Sequence, residues 1–233
     1  KITRKEFAHD YSIYHFGYTL WGEKEKGDVL SDIYEQGFLP YSGVKDIQNT
    51  MYMARSIRVH LSEFALSSEN RRVYKKFENR FDRSITSFEA FNTESVSFRK
   101  FCNTYFKEWH DVDFDQKLTT VLEAGFITHV VTYKEDGDII GYVLLDEDKK
   151  MAHYWFSFYD TRYIKQSLGM WMMINEVLEA QKLGKHYMYL GTGYGQKAQY
   201  KMNFKNIEYW DGSEWVADLR ALKKLSPADK DVH

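Results

Sequence analysis

The sequence contains little cysteine or proline and has no long apolar run. Cys102 is the one cysteine among 233 residues, so no disulfide can form within the chain. This use of cysteine is typical of a reducing compartment. Pro40 and Pro227 are the two prolines, and no proline-rich linker divides the chain. Because no apolar run approaches the ~20 residues of a membrane-spanning helix and residues 1–10 lack a signal-peptide core, we expect a cytoplasmic protein without a membrane partner.

The motifs of several common catalysts are missing as well. The sequence has no cysteine cluster, no phosphate-binding glycine loop and no nucleophile elbow, and its eight histidines show no metal-ligand spacing. Cys102 lies in an amphipathic helical pattern, so we expect a buried apolar side chain and not a nucleophile. The net charge of -2 does not by itself indicate a nucleic-acid or membrane partner. We therefore expect no metal site.

Aromatic residues are abundant, at 17% of the chain, which indicates cores and clefts built from flat rings. With 43% hydrophobic residues, the chain can bury one substantial core. We predict an aromatic-rich N-terminal region at residues 1–52, one main domain at 53–225 and a tail at 226–233. The aromatic N-terminal stretch is predicted to pack in a core, with stacking on the unpaired bases of a nucleic acid as the alternative.

The hydrophobic periodicity predicts a mixed α+β domain. Helices are predicted at residues 29–36, from Ser67 or Ser68 through 81, and at 95–110, 115–124, 166–182 and 196–204. Strands are predicted at 53–64, 127–133, 139–145, 152–159 and 185–190, followed by a hairpin at 207–216. The order from residue 127 onward is similar to that of the GCN5-related N-acyltransferase (GNAT) fold. In that fold two parallel strands, here 152–159 and 185–190, splay apart around an acyl group.

The start of the long helix bears on the acyl donor. Gln166, Gly169 and Trp171 occupy the positions of a glycine-rich turn that binds pyrophosphate in acyl-CoA enzymes, because backbone amides there attract anions. The bulky Trp171 replaces a small residue of that motif. The alternative interpretation is a helix start capped by Ser167, with Gly169 allowing close packing. An acyl-CoA-dependent N-acyltransferase stays open as an alternative function.

Several segments taken together resemble the arginyl-tRNA-protein transferase family, including its bacterial leucyl-transferring branch. They are residues 34–43, 55–64, 67–72, 167–169, 189–191 and 200–204. The resemblance implies transfer of an amino acid from an aminoacyl-tRNA to the α-amine of a protein or peptide with an acidic first residue. Because an aminoacyl ester is already activated, such an enzyme mainly aligns the reactants and stabilises an oxyanion. A homologue that binds N-termini or tRNA without catalysis is a further alternative.

Two segments depart from the family's pattern. The family usually carries N-terminal cysteines that bind a metal or an iron–sulfur cluster, whereas residues 49–54 here read Asn-Thr-Met-Tyr-Met-Ala. We therefore expect no cofactor, with aromatic packing replacing the cluster. The segment from Gly191 to Gly195 contains more glycine than the resemblance predicts, which leaves the transferred amino acid and the acceptor open.

The candidate catalytic residues lie on the predicted splayed strands and the short helix that follows them. They are Ser157, Tyr159, Tyr200 and Lys201. Hydroxyl groups at the end of a strand could relay a proton, and Lys201 could bind a phosphate, an acidic side chain or a carbonyl oxygen. Asp146 and Asp160 are candidates for uptake of the amine proton, although aspartate at a strand end more often forms a turn. His153 is predicted to be packed or hydrogen-bonded and not catalytic.

The candidate substrate-binding residues are arginines, together with the small and aromatic residues of the matched segments. They are Arg55, Arg58, Arg71, Arg72, Ser167, Gly169, Tyr189 and Gly191. A guanidinium suits bidentate recognition of a carboxylate or phosphate. For each arginine the alternative is an ordinary place at a strand end or an ion pair on a helix surface.

Overall fold

The computed structural model describes residues 1–10, 15–43, 47–109 and 114–228. Tyr11 and Tyr14 of the aromatic stretch and most of the predicted tail lie outside these residues. Within the described part of the chain, no helix combines the length and the apolar character needed to cross a membrane.

The N-terminal region forms a small antiparallel sheet, with strands in the order β1-β2-β4-β3. Its strands are β1 (Ile2–Asp10), β2 (His15–Glu23), β3 (Phe38–Pro40) and β4 (Thr50–Met53). Helix α1 (Leu30–Glu35) connects β2 to β3, as predicted, and Gly37 follows it with a positive φ of 80°. Strands β1 and β2 were not predicted. The residues of β1 are mostly polar, with Phe7 as its one aromatic residue, so no alternation of apolar and polar positions indicates a strand there.

The main domain is a sheet of eight strands in the order β12-β11-β5-β10-β9-β8-β7-β6. The strands are β5 (Ser56–His60), β6 (Asp82–Ser87), β7 (His129–Glu135), β8 (Asp138–Glu147), β9 (Met151–Tyr159), β10 (Tyr187–Thr192), β11 (Ile207–Trp210) and β12 (Trp215–Val216). Every neighbouring pair is antiparallel except β9 and β10. The mixed GNAT-like sheet that the element order predicted is confirmed.

Helices cover both faces of this sheet. They are α2 (Ser68–Tyr74), α3 (Val96–Trp109), α4 (Phe114–Glu123), α5 (Leu168–Lys182) and α6 (Leu219–Ala228). Neighbouring residues of β8 belong to different cores: Val143 packs with α2 and α5, whereas Leu144 packs with α3 and α4. Cys102 is buried in the second core, as predicted, and burial raises the pKa of its thiol.

Two elements differ from the prediction for identifiable reasons. Helix α2 has its predicted cap, because the Ser67 side chain accepts from the Asn70 amide, but the helix ends at Tyr74. Phe77 and Phe81 continue the apolar spacing from a turn beyond it, where they contact the Trp171 ring. Strand β6 was missed because it is a largely exposed edge strand with few apolar residues.

The parallel contact between β9 and β10 is short. Only three residue pairs join the two strands, and the last is Tyr189 with His153. Each strand then carries a bulge, at Trp155 on β9 and at Leu190 on β10, which turns the chains away from each other. The predicted splay is therefore present, and it opens the sheet at its centre.

We predict that Gly37→Ala destabilises the protein more than Gly137→Ala. Both glycines have positive φ, but a Cβ at Gly37 would lie 2.5 Å from the Trp210 ring, whereas nothing lies within 4 Å at Gly137. Both variants place an alanine at positive φ and lose stability for that reason. At Gly37 the contact with the Trp210 ring lowers the unfolding free energy by about 1–3 kcal/mol more. Urea denaturation of both variants measures the difference. Equal destabilisation would show that the Trp210 contact relaxes without cost.

Candidate functional site

Two cavities meet where β9 and β10 separate. The first, which we call the polar cavity, has a volume of about 530 Å³ and lies between these strands and the segment from Leu39 to Gly43. The second, which we call the apolar cavity, has a volume of about 520 Å³ and lies between β9 and the start of α5. The residues that line both are Tyr154, Ser157, Met173 and Tyr200. These side chains form the boundary across which two bound molecules could meet.

The polar cavity is electropositive. Its lining contains the ammonium groups of Lys117 and Lys201 and, among the described residues, no carboxylate. Lys201 Nζ donates to the Thr192 carbonyl at 2.8 Å, and Lys117 Nζ donates to the Ser42 carbonyl at 2.6 Å. Burial lowers the pKa of both lysines, that of Lys201 to about 8. Each ammonium has further donors beyond its carbonyl contact, so the cavity suits a carboxylate or phosphate.

Gly191 leaves open the space between Lys201 and His153. A Cβ at this position would lie 3.4 Å from Lys201 Nζ and 3.8 Å from His153 Nε2. Its φ of 83° also favours glycine. A reacting group could therefore approach the lysine and the histidine at the same point.

Three buried polar side chains, Asp146, Tyr34 and His153, form a row that ends beside Gly191. The Tyr34 hydroxyl donates to Asp146 Oδ2 at 2.6 Å and lies 2.9 Å from His153 Nδ1. All three residues are at most 1% exposed. Among the described residues, neither His153 Nε2 nor Asp146 Oδ1 has a hydrogen-bond partner. Burial raises the pKa of Asp146 to about 7 and lowers that of His153 to about 3, so the imidazole is neutral.

The strand register explains how this row forms. His153 lies opposite Asp146 across the β8–β9 ladder and opposite Tyr189 in the last pair between β9 and β10. Helix α1 brings Tyr34 onto Tyr189, with ring centroids 4.8 Å apart. The row therefore requires the N-terminal region to pack against the main sheet.

The apolar cavity is lined mainly by tyrosine and methionine. Tyr105 and Tyr159 lie side by side, with ring centroids 4.8 Å apart, and Lys197 is the one charged side chain among the described lining residues. A Cβ at Gly169 would lie 2.5 Å from the Tyr159 ring, so this glycine allows close packing, in agreement with the alternative interpretation. Ser167 makes no side-chain cap, and its φ is 69°.

Seven of the twelve predicted site residues line these cavities. They are Ser157, Tyr159, Ser167, Gly169, Gly191, Tyr200 and Lys201. The other five, Arg55, Arg58, Arg71, Arg72 and Tyr189, are not among the residues that line either cavity.

Arg58 is held inside the protein and not at a substrate carboxylate. It is 5% exposed, and its Nε donates to Glu208 at 2.7 Å. Its guanidinium lies between the Tyr187 and Trp215 rings, 3.8 and 4.0 Å from their centroids. It also donates to the hydroxyl of the buried Tyr189. An internal carboxylate thus satisfies the charge that the sequence assigned to an acceptor.

The remaining arginines lie on the outer surface. Arg72 pairs with Glu69 at 2.6 Å, and Arg71 donates to the Leu66 carbonyl. Arg55 lies over the Tyr194 ring in a separate surface pocket. For Arg72 the structure therefore shows the surface ion pair that was the alternative to substrate binding.

Tyr34 and Lys117 were not predicted as site residues. Tyr34 begins one of the segments that carry the resemblance, but its pairing with residues more than a hundred positions away has no local signal. His153 was predicted to be packed or hydrogen-bonded, and it lies within hydrogen-bond distance of Tyr34. Of the two aspartates considered for uptake of the amine proton, Asp146 belongs to the buried row, whereas Asp160 caps a 3₁₀ turn and pairs with Arg162.

The segment that matches the family's cysteine positions does not offer a cysteine-ligated site. Residues 49–54 contribute β4, and Met51 packs there with Phe38 and Phe126. The donors present at these positions do not fit a metal or cluster held by thiolates. In the described ranges, no three His, Cys, Asp or Glu side chains are grouped so that they could hold a metal ion.

Comparison with known proteins gives consistent matches. Residues 69–211 match the family model described as arginine-tRNA-protein transferase, C terminus. The aspartate/glutamate leucyltransferase of Dinoroseobacter shibae is 27% identical over 203 residues, which cover 76% of this chain and 70% of that protein. The enzyme of the same name from Phenylobacterium zucineum is 23% identical, with 75% and 71% coverage.

Solved structures are more distant. The DUF2156 domain from Agrobacterium fabrum has a TM-score of 0.48 and 12% identity, covering 76% of this chain and 55% of that one. FemX has a TM-score of 0.43 and 10% identity, with 70% and 59% coverage.

We predict that Lys201→Met changes the pH dependence of stability. The folded protein binds the Lys201 proton less tightly than the unfolded chain does, because burial lowers this pKa from 10.5 to about 8. The unfolding free energy of the wild type therefore rises between pH 8 and pH 10.5 relative to that of Lys201→Met. Urea denaturation at several pH values measures this difference, with the nearby exposed Lys205→Met as the control for loss of one charge. Parallel curves for wild type and Lys201→Met would contradict the expectation.

Proposed function

Because this chain belongs to the arginine-tRNA-protein transferase family, we propose that it transfers an aminoacyl group from a tRNA to the α-amine of a protein whose first residue is aspartate or glutamate. The observation that supports this proposal best is the meeting of an apolar and an electropositive cavity at the splayed strands. One cavity would hold the donor's amino acid, and the other would hold the acceptor's N-terminus.

The apolar cavity favours leucine as the transferred amino acid. Met170 and Met173 line it together with tyrosine rings, which suits an aliphatic side chain. An arginyl group would place its guanidinium among these residues without a carboxylate partner, which is costly. Lys197 lies in the same lining and suits a phosphate near the tRNA 3′ end. The relatives named leucyltransferases agree with this assignment.

The polar cavity suits the acidic acceptor. Lys117 and Lys201 approach it from α4 and from the 3₁₀ helix Gln196–Asn203, so an aspartate or glutamate side chain can pair with two ammonium groups. The described lining contains no carboxylate that would compete for them. A lysine or arginine at the acceptor's first position would instead meet like charge.

The reaction needs alignment more than activation. The acceptor nitrogen forms a bond with the ester carbonyl carbon, and the bond from that carbon to the ribose oxygen breaks. The two cavities share Ser157 and Tyr200, so the carbonyl would lie near these side chains. Beyond His153, β9 has no strand partner on the side of β10, so backbone groups there are available to the carbonyl oxygen.

We predict leucyl transfer to acidic N-termini. The experiment offers the purified protein leucyl-, phenylalanyl- and arginyl-tRNA in combination with peptides beginning with Asp, Glu or Lys, and follows labelled amino acid. Leucyl-tRNA with Asp or Glu should give the highest kcat/KM, and an N-acetylated Asp peptide is the control without a free amine. Turnover of acetyl-CoA without transfer from any charged tRNA would refute the proposal.

We also predict that Lys117→Met weakens recognition of the acidic acceptor. Loss of one charge-assisted hydrogen bond corresponds to about 1.5–3 kcal/mol, so KM for Asp and Glu peptides should rise about tenfold or more. The kcat should change little, because Lys117 does not contact the shared boundary. Lys205→Met, at an exposed position, is the matched control. A KM that stays at the wild-type value would remove Lys117 from the acceptor site.

A further inference from the structure

We propose that His153 receives the proton of the attacking amine and that Tyr34 passes the resulting charge change on to the buried carboxylate of Asp146. Tyr34 and Asp146 act through His153 and are positioning residues. This inference rests on the proposed function and adds the proton acceptor of the reaction. The basis is geometric: three hydrogen-bonded side chains run from the core to the polar cavity and end in an unpartnered ring nitrogen.

The Tyr34 hydroxyl determines which nitrogen of His153 carries the proton. It has one hydrogen and lies within hydrogen-bond distance of both Asp146 Oδ2 and His153 Nδ1. When Asp146 is ionised, the hydroxyl donates to the carboxylate and accepts from Nδ1–H. The lone pair of Nε2 then faces the cavity, next to the open space at Gly191.

Proton transfer along this row leaves the imidazole neutral. As the nitrogen–carbon bond forms, the amine proton moves to Nε2, the Nδ1 proton moves to the Tyr34 oxygen, and the Tyr34 proton moves to Asp146. When the ester bond breaks, the reverse sequence returns a proton from Nε2 to the ribose oxygen. The net result is one amide, one free ribose hydroxyl and an unchanged row.

The surrounding charges favour such a relay over an imidazolium. Burial and, to a smaller extent, the Lys201 ammonium lower the pKa of His153 to about 3, so His153 alone is a weak base at neutral pH. Burial raises the pKa of Asp146 to about 7, so its carboxylate can take up a proton near neutrality. Around Asp146, Asp148 and Glu147 favour the protonated form, whereas Lys24 and the Tyr34 hydroxyl favour the ionised form.

A purely structural role would not require an unpaired polar atom at each end of the row formed by Asp146, Tyr34 and His153. Asp146 Oδ1 and His153 Nε2 are buried without partners, an arrangement that costs stability and that apolar residues would avoid. The end at His153 opens onto the cavity. The unpaired nitrogen belongs to a side chain of the cavity lining and lies next to the space at Gly191, where a Cβ would be 3.8 Å from it.

The first test needs no substrate. The ¹⁵N chemical shifts of the His153 ring should show Nδ1–H above about pH 7 and Nε2–H below it, following Asp146. In Asp146→Asn and Tyr34→Phe this change across neutral pH should disappear, and folding is checked by circular dichroism. Tyr142→Phe is the matched control, since it removes a buried tyrosine hydroxyl outside the row. A wild-type tautomer that stays constant from pH 5.5 to 8.5 would overturn the proposal.

The second test is the pH profile of leucyl transfer. The wild-type kcat should rise through about pH 7, whereas Tyr34→Phe and Asp146→Asn should lose this rise and about a hundredfold or more in kcat. The double variant should be no slower than either single variant, because both interrupt one row. A folded Tyr34→Phe with the wild-type kcat and profile would overturn the proposal. Absence of transfer by the wild type, with its tautomer change intact, would refute the proposed function, whereas the coupling of His153 to Asp146 through Tyr34 would still be supported.

Discussion

The site depends on the short parallel pairing of β9 and β10, which ends after three residue pairs. Strands β9 and β10 stay tied to β8 and β5 on their outer sides, but they contact each other at only three residue pairs. The bulges at Trp155 and Leu190 make this separation part of the backbone geometry. The outer ladders hold both strands in this separated arrangement, and the two cavities form beside the gap.

The N-terminal region supplies the part of the polar cavity that the splayed strands do not form. Its β3 strand and the following residues form one wall of the polar cavity, and α1 places Tyr34 against β9 and β10. Tyr34, Leu39 and Tyr189 share one apolar cluster, so ring packing joins the two sheets. Tyr52 and Ala54, from the segment that matches the family's cysteine positions, belong to the same cluster.

The sequence predicts helices and strands well, but it predicts contacts between residues far apart in the chain poorly. The apolar spacing of α5 and the alternation in β7 to β9 gave the GNAT-like order, because each pattern lies within a few neighbouring residues. The pairing of Arg58 with Glu208 spans 150 positions, and that of Tyr34 with His153 spans 119. Such contacts follow from strand register, which no local pattern reveals. Hence the sequence offered a substrate carboxylate as the partner of Arg58, and it predicted a packed or hydrogen-bonded His153 without naming Tyr34 as the partner.

Two buried carboxylates show how structural and chemical roles differ in this fold. Glu176 receives hydrogen bonds from Arg83 at both oxygens and from the Tyr133 hydroxyl, so its charge is fully compensated inside the core. Asp146 is equally buried but has one phenolic donor and an oxygen without a partner. Burial raises the pKa of Asp146 to about 7, so this carboxylate, which has only a hydroxyl donor, lies close to protonation at neutral pH. That difference fits Glu176 for support of α5 and Asp146 for exchange of a proton.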